Sequence, residues 1–141
     1  MDIVICKNKE QAAHMVAGLI DRAIRANPAT VLGLATGATP VLMYKDLIRR
    51  HRDESLDFSK VRSWNLDEYV GLKPSHPASY RFFMNDQLFD HINIDKAKTH
   101  VPDGLAQDHR EHVSSRRGLT MRVSSSAASL KMSRHAPSPW A

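Results

Sequence analysis

Two apolar segments that end in polar groups, one βαβ unit apart, most strongly constrain the fold of this chain. The first, Thr30–Ala35, leads into a turn of small and hydroxyl-bearing residues, Thr36-Gly-Ala-Thr39. The second, 61–66, ends in two adjacent carboxylates, Asp67 and Glu68. A strand that is covered by helices on both faces is nearly continuously apolar, so the first segment is typical of a parallel sheet. We therefore expect the turn and the acids at the edge of the sheet where open α/β folds bind ligands.

Helical and extended patterns alternate along the first two thirds of the sequence. Apolar residues recur at helical period between Asn8 and Asn27, from about Pro40 onwards, and over Ser79–Phe89. Asn8 has the spacing of an N-cap with Gln11, and Pro28 ends the first helix. Further strands are predicted at 2–6 and, as an option, at 98–101. This order predicts an α/β fold, a Rossmann-like, open and mostly parallel sheet with flanking helices.

The excess positive charge lies at one end of the chain. Residues 1–108 carry 14 basic and 14 acidic side chains, whereas residues 109–141 carry six basic and one acidic, which accounts for the net charge of +5. The segment 109–141 is rich in Ser, Arg and Pro and shows no sustained periodicity, so it cannot offset the entropy of ordering. A basic tail can bind nucleic acid, but we predict an irregular, non-functional tail at 109–141 and no nucleic-acid partner. The domain is predicted over 1–108.

Simple counts argue against several other classes of protein. The chain has 141 residues, enough for one domain, and its single cysteine, Cys6, cannot form an internal disulfide. Its eight histidines show no spacing typical of a metal site, so we predict no metal. The apolar start is too short for a signal peptide, and no segment approaches the roughly 20 apolar residues of a membrane span. We predict a cytoplasmic protein with no membrane partner.

Both polar segments allow a functional and a structural interpretation. The turn at 36–39 resembles a site in which backbone N–H groups at the start of a helix hold an anion. The alternative is an ordinary turn that needs Gly37 for its backbone angle. Of the acids, we expect only one to face the cleft, where a carboxylate can act as a general base. The alternative is a helix cap or a loop ion pair. Possible partners follow downstream: His76, Tyr80 and His91.

Three runs of residues resemble the glucosamine-6-phosphate deaminase family. They are L-G-L-A-T-G-A-T-P at 32–40, W-N-L-D-E-Y-V-G-L at 64–72 and H-P-A-S-Y-R-F-F-M at 76–84, and F-D-H-I-N-I at 89–94 extends the similarity. The resemblance covers residues 1–108, and the acidic run followed by H-P-x-S-Y is its most specific part. The related 6-phosphogluconolactonases share the fold and a similar sugar-phosphate turn, but not the acidic run.

The resemblance implies conversion of glucosamine 6-phosphate and water to fructose 6-phosphate and ammonia, without a metal or organic cofactor. In that scheme the sugar ring opens, a carboxylate moves a proton from C2 to C1 through a cis-enolamine, and hydrolysis of the imine releases ammonia. Matched by motif, Asp67 is the proton carrier. Gly37, Ala38 and Thr39 bind the phosphate, and Ala38 stands where the family usually has Gly or Ser. Tyr80 is implied as a substrate-binding aromatic of the cleft, with its role open. Members are often homo-oligomeric.

One departure from the family pattern is large. The motif L-G-I-G-x-D-G-H-I-x-F-N-E-P, which brings the ring-opening histidine, is absent, and the sequence turns basic where it should begin. We hypothesise a shift of reading frame near Asp108, because Leu-Leu-Gly read one base out can give Ser-Ser-Ala, as at 125–127. The chain is then a truncated form with negligible catalysis. Two alternatives stay open: a related sugar-phosphate enzyme, such as a galactosamine-6-phosphate isomerase or a lactonase, and a non-catalytic sugar-phosphate-binding module.

Overall fold

The computed structural model of the chain describes residues 3–106 and contains one parallel sheet in the order β1-β2-β3. The strands are β1 (Val31–Leu34), β2 (Arg62–Asn65) and β3 (Thr99–His100). The helices are α1 (Lys9–Ala26), α2 (Val41–Asp53) and α3 (Tyr80–Gln87), and two short 3-10 turns, Phe89–His91 and Lys96–Lys98, precede β3. The predicted open, parallel α/β sheet with flanking helices is confirmed. The predicted tail at 109–141 lies outside the described residues.

Helix α1 begins and ends where its sequence signals predict. The side chain of Asn8 accepts a hydrogen bond from the backbone N–H of Gln11 at 2.8 Å. The Gln11 side chain in turn accepts from the backbone N–H of Lys7 at 2.7 Å, one residue before the cap. At the other end Asn27 is extended, as a residue before proline should be. The capping prediction for this helix is therefore confirmed.

Strands β1 and β2 end level with each other. Their register pairs Val31 with Arg62 and Leu34 with Asn65, both in parallel. Because the two strands stop at the same height, the turn that follows β1 and the acids that follow β2 leave the sheet at one edge. On the other side of β2, Trp64 pairs with His100 of β3, and the two rings stack with centroids 4.0 Å apart.

The core lies between the sheet and the helices. A buried ion pair connects helices α1 and α2. Asp21 of α1 and Arg50 of α2 are both almost fully buried, and their side chains are 2.9 Å apart. Arg50 also contacts Asp46 at 3.2 Å, so neither charge is left uncompensated. The largest fully buried apolar side chains are Tyr44, Phe58, Phe89, Leu47, Leu56, Met84, Leu88 and Val61.

The predicted strand at 2–6 is wrong over the residues that the structure describes. Residues 3–6 form no strand, and the side chains of Ile3, Val4 and Ile5 are 76%, 62% and 93% exposed. A β-branched run adopts strand structure only where a neighbouring strand and a packed face stabilise it, and β1, β2 and β3 do not pair with this segment. Among residues 3–106, no helix is long and apolar enough to cross a membrane.

Candidate active site

The turn between β1 and α2 has the backbone features of an anion-binding turn. Gly37 has a φ of +92°, which an L side chain rarely adopts. Pro40 precedes the first residue of α2, and in the described part of the chain no side chain hydrogen-bonds to cap this helix. The backbone N–H of Val41, the first residue of α2, donates to the carbonyl of Ala38 at 3.4 Å, so the next N–H groups of the first turn are the ones available for another acceptor. Ala38 and Thr39 are exposed, so the predicted phosphate-binding residues lie at the surface, beside the start of the helix.

Two buried side chains hold the strand ends beside this turn. The hydroxyl of Tyr44, on the buried face of α2, donates to the carbonyl of Ala35 at 2.5 Å. Burial raises the pKa of Tyr44 well above its usual range, so its phenol remains a donor at any ordinary pH. The side-chain amide of Asn65 donates to the carbonyl of Leu34 at 2.8 Å. The last residue of β2 is thus tied to the last residue of β1.

The two adjacent acids have different surroundings. Asp67 is exposed and accepts no hydrogen bond from residues 3–106. Glu68 is half-buried, and its carboxylate accepts from Ser79 and from backbone N–H groups at the start of α3. Glu68 therefore has the role of a helix cap, and Asp67 is the acid that remains available to a ligand. This division agrees with the expectation that adjacent residues of an extended segment face opposite ways.

Tyr80 connects the turn with the acidic segment. Its hydroxyl donates to the hydroxyl of Tyr69 at 3.3 Å, and the side chain of Thr36 in the turn lies close enough to affect the pKa of Tyr80. The two tyrosine rings lie with centroids 4.9 Å apart. The hydrogen bond to Tyr69, partial burial and the nearby charge of Asp67 raise the pKa of Tyr80 to about 12. At neutral pH Tyr80 is therefore a protonated group placed between the turn and the acid.

The two histidines proposed as partners have local roles instead. His76 Nδ1 accepts from the backbone N–H of Ala78 at 3.1 Å, within the loop before α3. His91 Nε2 lies 2.8 Å from the carbonyl oxygen of Asp86. Of the three downstream candidates, only Tyr80 therefore has a contact with the turn. Within residues 3–106, no group of three or more metal-ligating side chains is close enough to hold a metal ion.

Replacing Gly37 with alanine tests whether the turn depends on its backbone angle. A Cβ at this position would meet no atom within 4 Å, so any cost must come from the positive φ. We expect the Gly37→Ala variant to lose about 1–2 kcal/mol of unfolding free energy, measured by urea denaturation. Gly33→Ala is the matched control, because its Cβ also meets no atom within 4 Å and it lacks a positive φ. Equal stability of the two variants would contradict this interpretation.

The sequence places the turn and Asp67, but it does not indicate that Tyr44 and Asn65 hold the strand ends or which of the two acids is the helix cap. Tyr44 has the helical spacing of a core residue, and that spacing does not reveal the hydrogen-bond acceptor of its hydroxyl. Asn65 and the capping role of Glu68 depend on contacts across 31 and 11 to 13 residues of sequence. A polar residue that ends a buried strand, such as Asn65, is the one available signal, because a buried amide requires a partner.

The comparisons with known proteins all point to the same family. The family model described as glucosamine-6-phosphate isomerases/6-phosphogluconolactonase matches residues 7–135. A glucosamine-6-phosphate deaminase from Clostridium perfringens is 56% identical over 111 residues, which are 79% of this chain and 46% of that protein. One from Shewanella woodyi is 52% identical over 108 residues, 77% of this chain and 41% of the relative. The chain spans about half the length of the curated relatives it matches.

A solved structure supports the same relationship at the level of the fold. A protein described as a monomeric glucosamine-6-phosphate deaminase superposes with a TM-score of 0.77 and is 39% identical, covering 79% of this chain and 46% of its own. The family match includes the turn, both acids and Tyr80, since all lie within 7–135. The family model therefore covers most of the chain, and this protein belongs to the family of glucosamine-6-phosphate isomerases and 6-phosphogluconolactonases.

Proposed function

We propose that this chain belongs to an enzyme that deaminates and isomerises glucosamine 6-phosphate, giving fructose 6-phosphate and ammonia. The observation that carries the proposal is the position of Asp67. Because β1 and β2 end at the same height, Asp67, which is exposed and caps no described helix, lies at the same edge of the sheet as the turn at 36–39. Tyr80 lies near both, because Thr36 of the turn and the charge of Asp67 each affect its pKa.

In this proposal the turn holds the phosphate of the sugar. Gly37, Ala38 and Thr39 present backbone N–H groups at the start of α2, where the partial positive charge of the helix favours an anion. Thr39 adds a hydroxyl donor. The replacement of a usual Gly or Ser by Ala38 is compatible with binding through the backbone. No cofactor is needed, because the reaction is an internal proton transfer followed by hydrolysis.

Asp67 carries the proton in this scheme. Its carboxylate removes the proton from C2 of the open-chain sugar, and the C–H electron pair forms the C1–C2 double bond of a cis-enolamine. The π pair of the C1 aldehyde moves to O1 at the same time, and O1 takes a proton from water. The same carboxyl group then returns the proton to C1, which leaves an imine at C2. Water adds to this imine, ammonia leaves, and the ketone of fructose 6-phosphate remains. The carboxylate suits this step because it is positioned by a strand end and accepts no competing hydrogen bond from residues 3–106.

The same proposal assigns the protein to amino-sugar catabolism in the cytoplasm. Cys6 is a free cysteine, which fits a reducing compartment. The relatives it matches are named as deaminases, and a sugar phosphate is the small-molecule partner. Homo-oligomers are an expectation from the family resemblance, whereas the solved relative is described as monomeric.

Replacing Asp67 with asparagine tests the role of the carboxylate in the full chain. We expect the Asp67→Asn variant to reduce the loss of deuterium from C2 of labelled glucosamine 6-phosphate by about 10²–10⁴-fold. Binding of the sugar phosphate, measured by calorimetry, should change little, because the phosphate turn is intact. Asp53→Asn, at the exposed end of α2, is the matched control and should behave like the unsubstituted chain.

Ammonia release from glucosamine 6-phosphate separates the deaminase from the binding module. The printed sequence lacks the motif that brings the ring-opening histidine, so we expect the chain alone to release ammonia far more slowly than an ordinary enzyme. Deuterium loss that depends on Asp67 supports the deaminase assignment. Tight sugar-phosphate binding with no deuterium loss supports a non-catalytic module, and the absence of binding overturns both.

A further inference from the structure

Glu68 makes more hydrogen bonds than any other carboxylate near the proposed site. Its Oε1 accepts from the backbone N–H groups of Tyr69 at 2.8 Å and Tyr80 at 2.9 Å. Its Oε2 accepts from the hydroxyl of Ser79 at 2.7 Å and from the backbone N–H of Arg81 at 3.1 Å. An ionised carboxylate has about four acceptor positions, so the four donors use its full capacity.

These bonds fix the start of α3 relative to the end of β2. Ser79 is the N-cap of α3 and accepts from Arg81 while it donates to Glu68. The helix therefore has a local cap and a second cap from a distant residue, and both lower the cost of its unpaired N–H groups. Arg81 also binds the side chain and the carbonyl of Thr99, at 2.7 and 2.9 Å. Three elements thus converge on the first turn of this helix.

The position of Tyr80 follows from this arrangement. Tyr80 is the first residue of α3, so its backbone is held directly by Glu68. Tyr69, the other tyrosine of the pair, follows Glu68 in sequence and its N–H is bound by the same carboxylate oxygen. One oxygen atom of Glu68 therefore binds the backbone N–H of both tyrosines, and the side chain of Tyr80 lies close enough to Thr36 for that residue to affect its pKa.

We propose that Glu68 is a positioning residue, which through its four hydrogen bonds holds the Tyr69–Tyr80 pair between the turn at 36–39 and Asp67. The effect of this positioning on recognition of the sugar rests on the proposed function, whereas the positioning itself does not. It implies a division of labour between adjacent acids: Asp67 reacts, and Glu68 never touches the substrate. Tyr69, whose oxygen accepts from Tyr80, is then set to donate its own O–H to a polar group of the sugar, while the phosphate binds on the turn.

The Glu68→Gln variant of the full chain tests the proposal without any ligand. A glutamine amide matches glutamate in size, but its –NH₂ group cannot accept and would face N–H donors. Without these hydrogen bonds the two rings should on average lie farther apart. Because the nuclear Overhauser effect falls steeply with distance, we expect its intensity between the rings of Tyr69 and Tyr80 to fall to less than about half. Unchanged ring contacts in a folded Glu68→Gln variant would overturn the proposal.

Binding provides a second and separate measurement. We expect Glu68→Gln to weaken binding of glucosamine 6-phosphate by about tenfold, the scale of one lost charge-assisted hydrogen bond, and to leave binding of inorganic phosphate unchanged. An equal loss for both ligands would show that Glu68 supports the turn itself, and would overturn the positioning role. If the unsubstituted chain binds neither ligand, the proposed function fails, and the ring contacts still decide the role of Glu68.

Two further variants control for general loss of stability. Glu10→Gln changes an exposed glutamate that also lies in the first turn of a helix, and it should alter neither the ring contacts nor binding. Ser79→Ala removes one of the four donors, so it should weaken the ring contacts less than Glu68→Gln does. Should Glu68→Gln fail to fold, Ser79→Ala decides: intact ring contacts and intact ligand selectivity in that variant would contradict the proposal.

Discussion

The Tyr44→Ala variant is expected to lose about 3–5 kcal/mol of unfolding free energy, the range for removal of a large buried aromatic side chain. Tyr44 is fully buried between α2 and the sheet, and its hydroxyl donates to the carbonyl of Ala35, which directly precedes the turn. The variant therefore removes core packing and also the hydrogen bond that holds the backbone just before the turn. Urea denaturation, followed by circular dichroism, measures the first effect, and calorimetry with glucosamine 6-phosphate measures the second.

Two controls separate packing from hydrogen bonding. Tyr44→Phe keeps the ring and removes only the donor, so it should cost about 0.5–1.5 kcal/mol, the net value of one hydrogen bond. Leu47→Ala removes a fully buried side chain from the same helix, one turn further on, and should cost about 2–5 kcal/mol. Only the Tyr44 variants should also weaken sugar-phosphate binding by the folded protein. A loss below about 1 kcal/mol for Tyr44→Ala would contradict the described packing.

The sequence was sufficient for the parallel sheet because its signals are local. The nearly continuous apolar run at 30–35 contains β1, the segment 61–66 contains β2, and the Asn8 cap and the proline at 28 delimit α1. The turn and the acids could be placed at one edge from the sequence alone, because the carboxyl ends of parallel strands lie at the same edge of the sheet. The strand at 2–6 failed for the complementary reason: an apolar run does not state whether a partner strand lies beside it.

The candidate site was predicted less completely, because its support is not local. The sequence could place Asp67 after a strand, and it allowed a helix cap as an alternative for either acid. It could not assign the cap to Glu68, since the donors of Ser79 and Arg81 come 11 and 13 residues later. Nor could it connect Tyr80 with Thr36. The roles of Asp67, Gly37, Ala38, Thr39 and Tyr80 are predictions, of which Asp67→Asn tests the carboxylate and Gly37→Ala the backbone angle of the turn.

Gly104→Ala is expected to distort the loop that follows the acids. A Cβ at Gly104 would lie 2.4 Å from the carbonyl oxygen of Tyr69 and 2.9 Å from that of Leu72. Both obstacles are backbone atoms, so rotation of a side chain cannot relieve the collision. The carbonyl of Gly104 also accepts from the N–H of Gly71 at 2.7 Å, and a displaced backbone would lengthen that bond. Overpacking and the lost hydrogen bond together should cost about 2–4 kcal/mol in urea denaturation.

The same variant tests whether the loop is coupled to the site. Because Tyr69 belongs to the segment that must move, the ring contact between Tyr69 and Tyr80 should weaken in Gly104→Ala, although both tyrosines and Glu68 are unchanged. Gly18→Ala is the matched control: its Cβ would make ordinary contacts of 3.6 Å with the side chains of Arg22 in α1 and Arg50 in α2, and alanine should stabilise α1 by about 0.5–1 kcal/mol. If Gly104→Ala is as stable as Gly18→Ala and keeps the ring contact, the close approach of Gly104 to the loop is wrong. A destabilised variant with an intact ring contact would instead show that Glu68 alone positions the tyrosine pair.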